Sequence, residues 1–392
     1  MIANNSKRIE VVDSLRGFAL MIILLLHCIQ HFDLDYIPEY LPEPIKVFDK
    51  IITNVFSYLF AGKAYAIFAF LFGFSFFIQN ENQKNQGKDF RRRFLWRLLL
   101  LFCFGVFNTI FFAGDILMLY AVLGMVLVLV LNLKTKYVLC IAFFLLILPL
   151  EWYKIFNILY NPEYLISESN RSFYSNQTQL YLKEKTFINV VVGNLTTGRI
   201  SSFLWNWETG KCFQTAGLFM LGMITGKKEL FFSSEVNFAF WRKILRYGLL
   251  ILTILLIFRM NVYFLFENKT LADSLMLIAT SWANFIFTFV LISLFVLFYA
   301  KEKMYKILTK LVPYGKMSLT NYILQSILGS VLFYEYGFGL FKYTGATFSL
   351  LIGIVLFLIQ LQFSNWWLKK YKQGPLEFIW HKLTWISFSS KS

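Results

Sequence analysis

The residues with the clearest potential for chemistry lie in one apolar run near the amino terminus. Asp13 and Arg16 open this run, His27 interrupts it, and His31 follows one helical turn later. At 100° per residue, these four side chains fall close to one stripe of a helix. With a rise of about 1.5 Å per residue, Arg16 and His27 stand about 16 Å apart along that stripe. A cation at one membrane surface is thus predicted to share a helix face with an imidazole near mid-membrane.

A histidine inside an apolar helix is suited to acid–base chemistry. Placing an ionisable side chain in a bilayer costs on the order of 2–3 kcal/mol or more, so His27 should face the interior of a helix bundle or a wet cavity. A neutral imidazole accepts protons near pH 7, which makes His27 a candidate general base. The alternative is a histidine that hydrogen-bonds across helices and serves packing alone.

Two further polar residues are predicted to act with His27. Lys63, within the apolar run 54–78, is expected at a similar depth, where it either approaches His27, binds an anionic group or extends to the interface. Asp115 follows the run 94–112 and could orient a catalytic imidazole, as carboxylates often do. It could equally cap the helix that follows it, because Asp accepts free backbone N–H groups at helix starts.

Arginines at the start of the third apolar run predict a phosphate-binding mouth. Guanidinium groups bind phosphate through two parallel hydrogen bonds, and Arg92, Arg93 and Arg97 would share this mouth with Asp13 and Arg16. The alternative is that these arginines only set the topology and bind anionic lipid. The cysteines and histidines show no spacing typical of a metal site, so no metal is predicted.

Composition predicts an all-α integral membrane protein that forms a single polytopic domain over residues 1–392. Hydrophobic residues make up 58% of the chain, and ten apolar runs of spanning length alternate with polar segments. The predicted spans are 17–33, 54–78, 94–112, 115–132, 137–157, 203–225, 244–264, 275–299, 317–335 and 346–367. Lys and Arg concentrate in alternate segments, which predicts cytoplasmic termini, a cytoplasmic tail over 368–392 and a long extracytoplasmic loop over 158–202. The net charge of +16 follows this alternation, so nucleic acid is not an expected partner.

The opening of the chain resembles a known superfamily. Asp13, Arg16 and Gly17, with His27 fourteen residues after the Asp, are similar to the first helix of bacterial membrane O-acyltransferases. These enzymes belong to the transmembrane acyltransferase superfamily, which includes the heparan-alpha-glucosaminide N-acetyltransferases. The resemblance implies that the histidine at this spacing is catalytic.

Several stretches together are similar to the YeiB-like membrane proteins, described as a domain of unknown function 418. They are GKAYAIFAFLFG around Lys63, GDILMLYAVLG with Asp115, GKMSLTNYILQS from Gly315, and the Gly-Pro-Leu-Glu tail that begins at Gly374. The resemblance covers nearly the whole chain. Many members of that family carry Asn at the position of His27, so this resemblance implies the superfamily but not the base.

Three functions are compatible with these features. The first is an acyltransferase of a bacterial inner membrane that moves an acyl group from cytoplasmic acyl-CoA, chiefly acetyl-CoA, to a hydroxyl or amine of an extracytoplasmic small molecule or glycan. The second is a transporter or lipid translocator with His27 in a proton path. The third is a non-catalytic membrane partner of another enzyme. The lipid bilayer is an expected partner in each case, and a homodimer is also expected among the partners.

Overall fold

The computed structural model describes residues 9–34, 36–38, 40–161 and 169–386. Every regular element within those ranges is helical. The predicted loop 158–202 and tail 368–392 fall partly outside them. The first eight helices are α1 (Glu10–Ile29), α2 (Glu43–Phe60), α3 (Ala64–Lys84), α4 (Arg91–Thr109), α5 (Leu117–Leu123), α6 (Met125–Val130), α7 (Thr135–Leu146) and α8 (Pro149–Tyr160).

The rest of the chain adds eleven helices over residues 169–386. The central ones are α9 (Arg171–Leu182), α10 (Phe187–Gly193), α11 (Arg199–Glu208) and α12 (Lys211–Lys227), with a π-helical turn over Asn194–Gly198. The remaining ones are α13 (Glu235–Leu265), α14 (Lys269–Tyr299), α15 (Glu302–Leu308), α16 (Val312–Lys316), α17 (Ser318–Phe333), α18 (Ala346–Lys370) and α19 (Pro375–Thr384).

Five segments are long and apolar enough to cross a membrane, or six if the bent pair α7–α8 forms one span. Four of the five are α1, α13, α14 and α18, and the fifth is the pair α2–α3. The prediction of an all-helical bundle with several membrane-spanning helices is therefore confirmed, and the protein is of the multi-pass membrane type.

Three of the predicted spans are wrong as continuous helices. The run 54–78 breaks at Gly62, the run 137–157 breaks at Leu148 with a bend of 51°, and the run 203–225 breaks at Gly210. Each of these residues has a positive φ, between 64° and 81°, which a right-handed helix cannot contain. Pro149 reinforces the second break, because proline starts a helix readily but cannot continue one.

The first predicted span, 17–33, is displaced from the helix that forms. α1 starts at Glu10 and ends at Ile29, and the next residues, His31 to Asp33, adopt left-handed φ angles of 47°, 56° and 66°. His27 consequently lies in the last turn of α1, and its depth in the membrane stays a prediction. His31 lies beyond the helix, so it leaves the stripe that contains Asp13 and Arg16.

The core is centred on α1, whose apolar window is 72% buried. It packs against α3, α16 and α18, and its closest neighbour is α16. At that crossing the two backbones touch, because a Cβ on Gly17 would lie 2.4 Å from the carbonyl oxygen of Leu311, and one on Gly315 would lie 1.8 Å from that of Asp13. Glycine is thus required on both helices for this approach.

α13 and α14 form a long antiparallel pair at the edge of the bundle. Each helix has 31 residues, and they meet at the turn before Lys269. Only 11% of the apolar window of α13 is buried, and its outer face carries large apolar side chains such as Met260 and Phe264. An apolar, uncovered face of this length is expected to lie against lipid.

The predicted loop 158–202 is helical over most of its described part. α9 and α10 pack on each other and on the π-helical turn, and α9 also packs on α11. Side chains from this segment bind the end of α1 and the turn after α4: Gln179 donates to the Asp33 carbonyl at 2.5 Å, and Asn194 donates to the Ile110 carbonyl at 3.2 Å. The segment covers this end of the bundle.

Candidate active site

The predicted base, His27, has its ring next to two aromatic side chains. Phe112 meets it edge-on, with 4.7 Å between ring centroids, and the Phe32 ring centroid lies 5.5 Å away. Both phenyl rings are buried, whereas His27 is only half-buried. Its Nδ1 atom is buried and makes no hydrogen bond with any residue that the structure describes. The imidazole is therefore enclosed at one nitrogen while the residue stays partly accessible.

Phe32 is positioned by the left-handed turn that follows α1. Its amide donates to the His27 carbonyl at 2.7 Å, and the Tyr334 hydroxyl donates to the Phe32 carbonyl at 2.8 Å. A Cβ on Gly329 of α17 would lie 2.0 Å from the Phe32 ring, so glycine makes room for that ring. These contacts fix the turn that carries a direct neighbour of His27.

Asp115 caps α5, as one of the two predictions for it states. One carboxylate oxygen accepts from the amide of Met118 at 3.0 Å, and the other accepts from the side chain of Asn108 at 2.9 Å. Arg199 reaches the same turn and donates to the Asp115 carbonyl at 3.0 Å. Asp115 is 1% exposed, so this carboxylate is fixed and cannot rearrange freely.

Two more residues join this turn, neither of which the sequence analysis identified as functional. A Cβ on Gly114 would lie 2.7 Å from Oδ2 of Asp33, so this second carboxylate faces the turn. The Tyr322 hydroxyl accepts from the amide that follows Asp115 at 3.3 Å. Tyr322 is also close enough to interact electrostatically with Asp33, Asp115 and Arg199.

His31 has a structural role, because its side chain contacts residues near the start of α18. Its Nε2 lies 2.9 Å from the Ser349 hydroxyl and 3.5 Å from that of Thr344, and its ring contacts Phe333. Ser349 also donates to Thr344 at 3.1 Å, so the three side chains form a closed set. The set ties the end of α1 to the start of α18.

The structure gives Lys63 different neighbours from those of His27. Lys63 lies at the break between α2 and α3, and its ammonium donates to the Tyr58 carbonyl at 2.6 Å. It lies 5.5 Å from the centroid of Phe287 on α14 and interacts electrostatically with Arg259 of α13. The proposed role of Lys63 beside His27 therefore stays a prediction, and its contacts belong to another part of the bundle.

At the opposite end of α1, Asp13 and Arg16 form an ion pair with 2.8 Å between Nη1 and Oδ1. The other terminal nitrogen of Arg16 donates to the Ser75 hydroxyl of α3 at 2.9 Å. Asp13 is 2% exposed. The first contact lies within α1, and the second joins α1 to α3.

The arginines of α4 divide between the surface and the tail. Arg93 donates to the carbonyls of Thr384 and Ile386 at 2.7 and 2.9 Å, at the carboxyl end of α19. A cation at this position also complements the helix dipole. Arg97 lies over the Trp380 ring at 4.2 Å. Arg92 is exposed. The tail thus contacts two of the four arginines that were predicted to bind a cofactor.

The Gly-Pro-Leu-Glu motif explains how the tail is attached. Pro375 starts α19, and Glu377 in its first turn accepts from the amides of Leu319 and Thr320 at 2.7 and 3.1 Å and from the Thr320 hydroxyl at 2.5 Å. Glu377 therefore caps the start of α17 from another helix. Burial raises the pKa of Glu377, and the hydrogen bonds from Thr320 and Leu319 oppose that rise.

At the end of the bundle where α1 finishes, the chain brings together a group that can transfer protons and groups that can stabilise charge. They are His27, Asp33, Asp115, Arg199 and Tyr322. The four last-named residues surround one turn, and His27 is connected to them through Phe32 and Phe112. An imidazole can take a proton from a nucleophile, a carboxylate can stabilise the imidazolium, and guanidinium or phenol groups can stabilise an oxyanion. No group of His, Cys, Asp and Glu among the described residues is arranged to hold a metal ion.

Two family models match the chain, one in each half. Residues 225–387 match the family described as protein of unknown function (DUF418). Residues 8–177 match the model described as heparan-alpha-glucosaminide N-acetyltransferase, catalytic. The chain carries a DUF418 region and is homologous to YeiB. The resemblance to YeiB-like proteins is thereby confirmed, and the second match indicates a transmembrane acyltransferase-like superfamily.

Three bacterial proteins are similar to this chain. The uncharacterized protein YxaH of Bacillus subtilis is 26% identical over 98% of this chain and 96% of its own length. An uncharacterized 39.9 kDa protein in the amylase 3′ region of Bacillus acidopullulyticus is 27% identical over 97% of this chain and 94% of its own length. YeiB of Escherichia coli is 36% identical over 92 residues, which are 24% of this chain and 23% of YeiB. No solved structure matches the chain.

Proposed function

We propose that the protein is a membrane acyltransferase that moves an acyl group from cytoplasmic acyl-CoA to an extracytoplasmic hydroxyl or amine. One observation carries this proposal. The region that matches the acetyltransferase catalytic model, residues 8–177, contains His27, Asp33 and Asp115, and these residues lie at one end of the bundle. Acetyl-CoA is the preferred donor substrate, and a small molecule or a glycan is the acceptor.

In the proposed reaction, His27 acts as the general base. The acceptor oxygen or nitrogen attacks the thioester carbonyl as its proton passes to the imidazole of His27. The carbonyl oxygen gains negative charge, and in this proposal Arg199 and Tyr322 stabilise it electrostatically. The carbon–sulfur bond then breaks, and the proton on His27 passes to the leaving CoA thiolate. Asp33 or Asp115 stabilises the imidazolium that exists between these two proton transfers.

The donor would reach this site from the end of α1 that carries Asp13 and Arg16. At that end, Arg91 and Arg92 of α4 are both exposed, and Arg91 is paired with Asp89, so we propose that Arg92 contacts the CoA phosphates first. Arg93 and Arg97 would contribute only if the tail moves, because it contacts both of them. The proposal includes ten spans, both termini in the cytoplasm and a location in the inner membrane.

The test uses membranes from cells that overproduce the full chain. Radiolabelled acetyl-CoA is added to inside-out vesicles, and label is followed into lipid and glycan fractions. We expect transfer by the wild type and a loss of about 100-fold or more in His27→Ala, in line with the usual contribution of a general base. The matched control is His381→Ala, which removes the exposed histidine of α19.

Equal turnover in His27→Ala and wild type would show that His27 is not the general base. If vesicles of the wild type transfer no label from acetyl-CoA or from longer acyl-CoAs, the acyltransferase proposal fails. Movement of an unmodified solute in the same vesicles would then favour the transporter.

A further inference from the structure

Five polar side chains lie in the interior of the bundle, where α16, α17 and α18 adjoin. They are neutral amides and hydroxyls, and none is more than 1% exposed: Tyr314, Asn321, Gln325, Gln360 and Ser364. Gln325 follows Asn321 by one helical turn on α17, and Ser364 follows Gln360 by one turn on α18, so each pair shares a helix face. We call these five residues the amide cluster.

The hydrogen bonds within the amide cluster use only part of its capacity. The Tyr314 hydroxyl donates to Oε1 of Gln360 at 2.8 Å. Nδ2 of Asn321 donates to the Ser364 hydroxyl at 2.9 Å and to the Tyr314 carbonyl at 3.2 Å. Four buried atoms have no hydrogen-bond partner among the residues that the structure describes: Oδ1 of Asn321, Nε2 of Gln360, and both Nε2 and Oε1 of Gln325.

The free atoms do not result from the way an amide is turned. Exchanging the two ends of the Gln325 amide leaves one donor and one acceptor free in either orientation. The Asn321 nitrogen is fixed by the Tyr314 carbonyl, which can only accept, so the free atom of Asn321 is the oxygen. A buried polar atom without a partner costs about 1–3 kcal/mol, so four of them would cost about 4–12 kcal/mol. This cost is comparable to the whole stability of a typical domain, which indicates that a further group binds here.

The free atoms favour a ligand that both donates and accepts hydrogen bonds. Gln325 alone requires one donor and one acceptor. A cation would face amide N–H groups, an anion would face amide oxygens, and the amide cluster contains no charged side chain that could offset an ion. Water has two donors and two acceptors, and a buried water typically makes about three hydrogen bonds with polar groups of this kind.

We propose that the amide cluster binds ordered water in the interior of the bundle. Two water molecules carry enough donors and acceptors for the four free atoms. Because Tyr314 directly precedes Gly315, this water lies next to the crossing of α1 and α16. The site does not depend on acyl transfer, since it shares no residue with the cluster around His27.

The test is hydroxyl-radical footprinting of the full chain in detergent, with radicals produced from water by a short X-ray pulse. A bound water generates radicals beside its neighbours, so an adjacent tyrosine is oxidised even where bulk solvent does not reach it. Tyr314 and Tyr334 form a matched pair, because both are 0% exposed and each hydroxyl donates to an oxygen at 2.8 Å. We expect tandem mass spectrometry to show Tyr314 oxidised about fivefold faster than Tyr334, since only Tyr314 lies beside the proposed water.

Two variants of α17 test the role of Gln325. Gln325→Leu removes two of the four free atoms at a similar side-chain volume, so the oxidation rate of Tyr314 should fall towards that of Tyr334. Ser326→Ala is the matched control, because it removes a buried hydroxyl that donates to the carbonyl of Tyr322 in its own helix. This control should leave the oxidation rates of both tyrosines unchanged.

Equal oxidation of Tyr314 and Tyr334 in the wild type would refute the water site, and this comparison needs no variant to fold. Undiminished oxidation of Tyr314 in Gln325→Leu, or an equal loss in Ser326→Ala, would overturn the assignment of Gln325 as a ligand. The Tm of the wild type is also compared in sodium, potassium and choline chloride. A Tm that only sodium or potassium raises would assign the amide cluster to a cation and overturn the water.

Discussion

His27 is held by aromatic rings and by its own helix, and its buried Nδ1 has no hydrogen-bond partner. His31, four residues later, has the opposite surroundings, with two hydroxyl groups at its Nε2. A general base needs a nitrogen that is free to take a proton, and His31 has its Nε2 occupied. At the scale of single residues, the two histidines therefore differ in the property that matters for the proposed reaction.

Asp115 provides a prediction about stability at the same scale. Asp115→Asn should lower the free energy of unfolding by about 1–2 kcal/mol, because the amides of Met118 and Asn108 both donate to the ionised carboxylate. Chemical unfolding in detergent measures this change. Asp273→Asn is the control, since that exposed carboxylate bonds only to the Tyr263 hydroxyl among the contacts described, and it should change stability by less than about 0.5 kcal/mol. Equal losses in both variants would contradict the cap.

Among the elements, the short helix α19 holds two longer ones in place. Its first turn caps α17 through Glu377, and its last turn accepts hydrogen bonds from Arg93 of α4. Because α17 also carries Tyr322 and Gly329 of the site, the cap at the start of α17 helps to position these residues.

We predict that Glu377→Gln lowers the free energy of unfolding by about 3 kcal/mol. The substitution replaces one of two accepting oxygens with an NH₂ group, which faces the donors at the start of α17 and leaves one of them unsatisfied. Thermal unfolding in detergent gives the measurement, with Glu235→Gln as the exposed control at the start of α13. A variant as stable as the wild type would show that α17 does not need this cap.

Some of these elements can be predicted from the sequence, and others cannot. Apolar length identifies most of the helices, and the Gly-Pro-Leu-Glu motif marks the start of α19. The break at Leu148 cannot be predicted from local preferences, because leucine rarely adopts a positive φ and here does so before a proline. The role of Arg199 depends on how α11 folds back over the turn after α4, which is a tertiary contact with no local signal.

At the scale of the whole molecule, the site residues that the sequence analysis missed were missed for the same reason: their contacts depend on the tertiary fold. Asp33 lies six residues after His27 and was given no role by the sequence analysis, and Arg199 lies in the segment 158–202 that was predicted to be a loop. Both act across elements that are far apart in the chain. The candidate base could be found from one helix, but its surroundings required the fold.

The proposed topology has a direct test in living cells. Asn170→Cys and Lys88→Cys, each placed in a chain whose four cysteines are replaced by Ala, put one exposed thiol at each end of the bundle. A membrane-impermeant maleimide should label Cys at 170 in intact cells and Cys at 88 only after permeabilisation, as the distribution of Lys and Arg predicts. The reverse pattern would invert the topology, and with it the side from which the acceptor arrives.

The crossing of α1 and α16 joins portions of the chain that two separate family models recognise. Gly17 belongs to the first portion and Gly315 to the second, and their backbones touch where any side chain would collide. Neither portion can therefore be exchanged among relatives as an independent module, since a new α1 must match the surface of the resident α16. During evolution, a substitution on one helix of this contact would require a compensating substitution on the other. The two regions are therefore expected to co-evolve and to be inherited together.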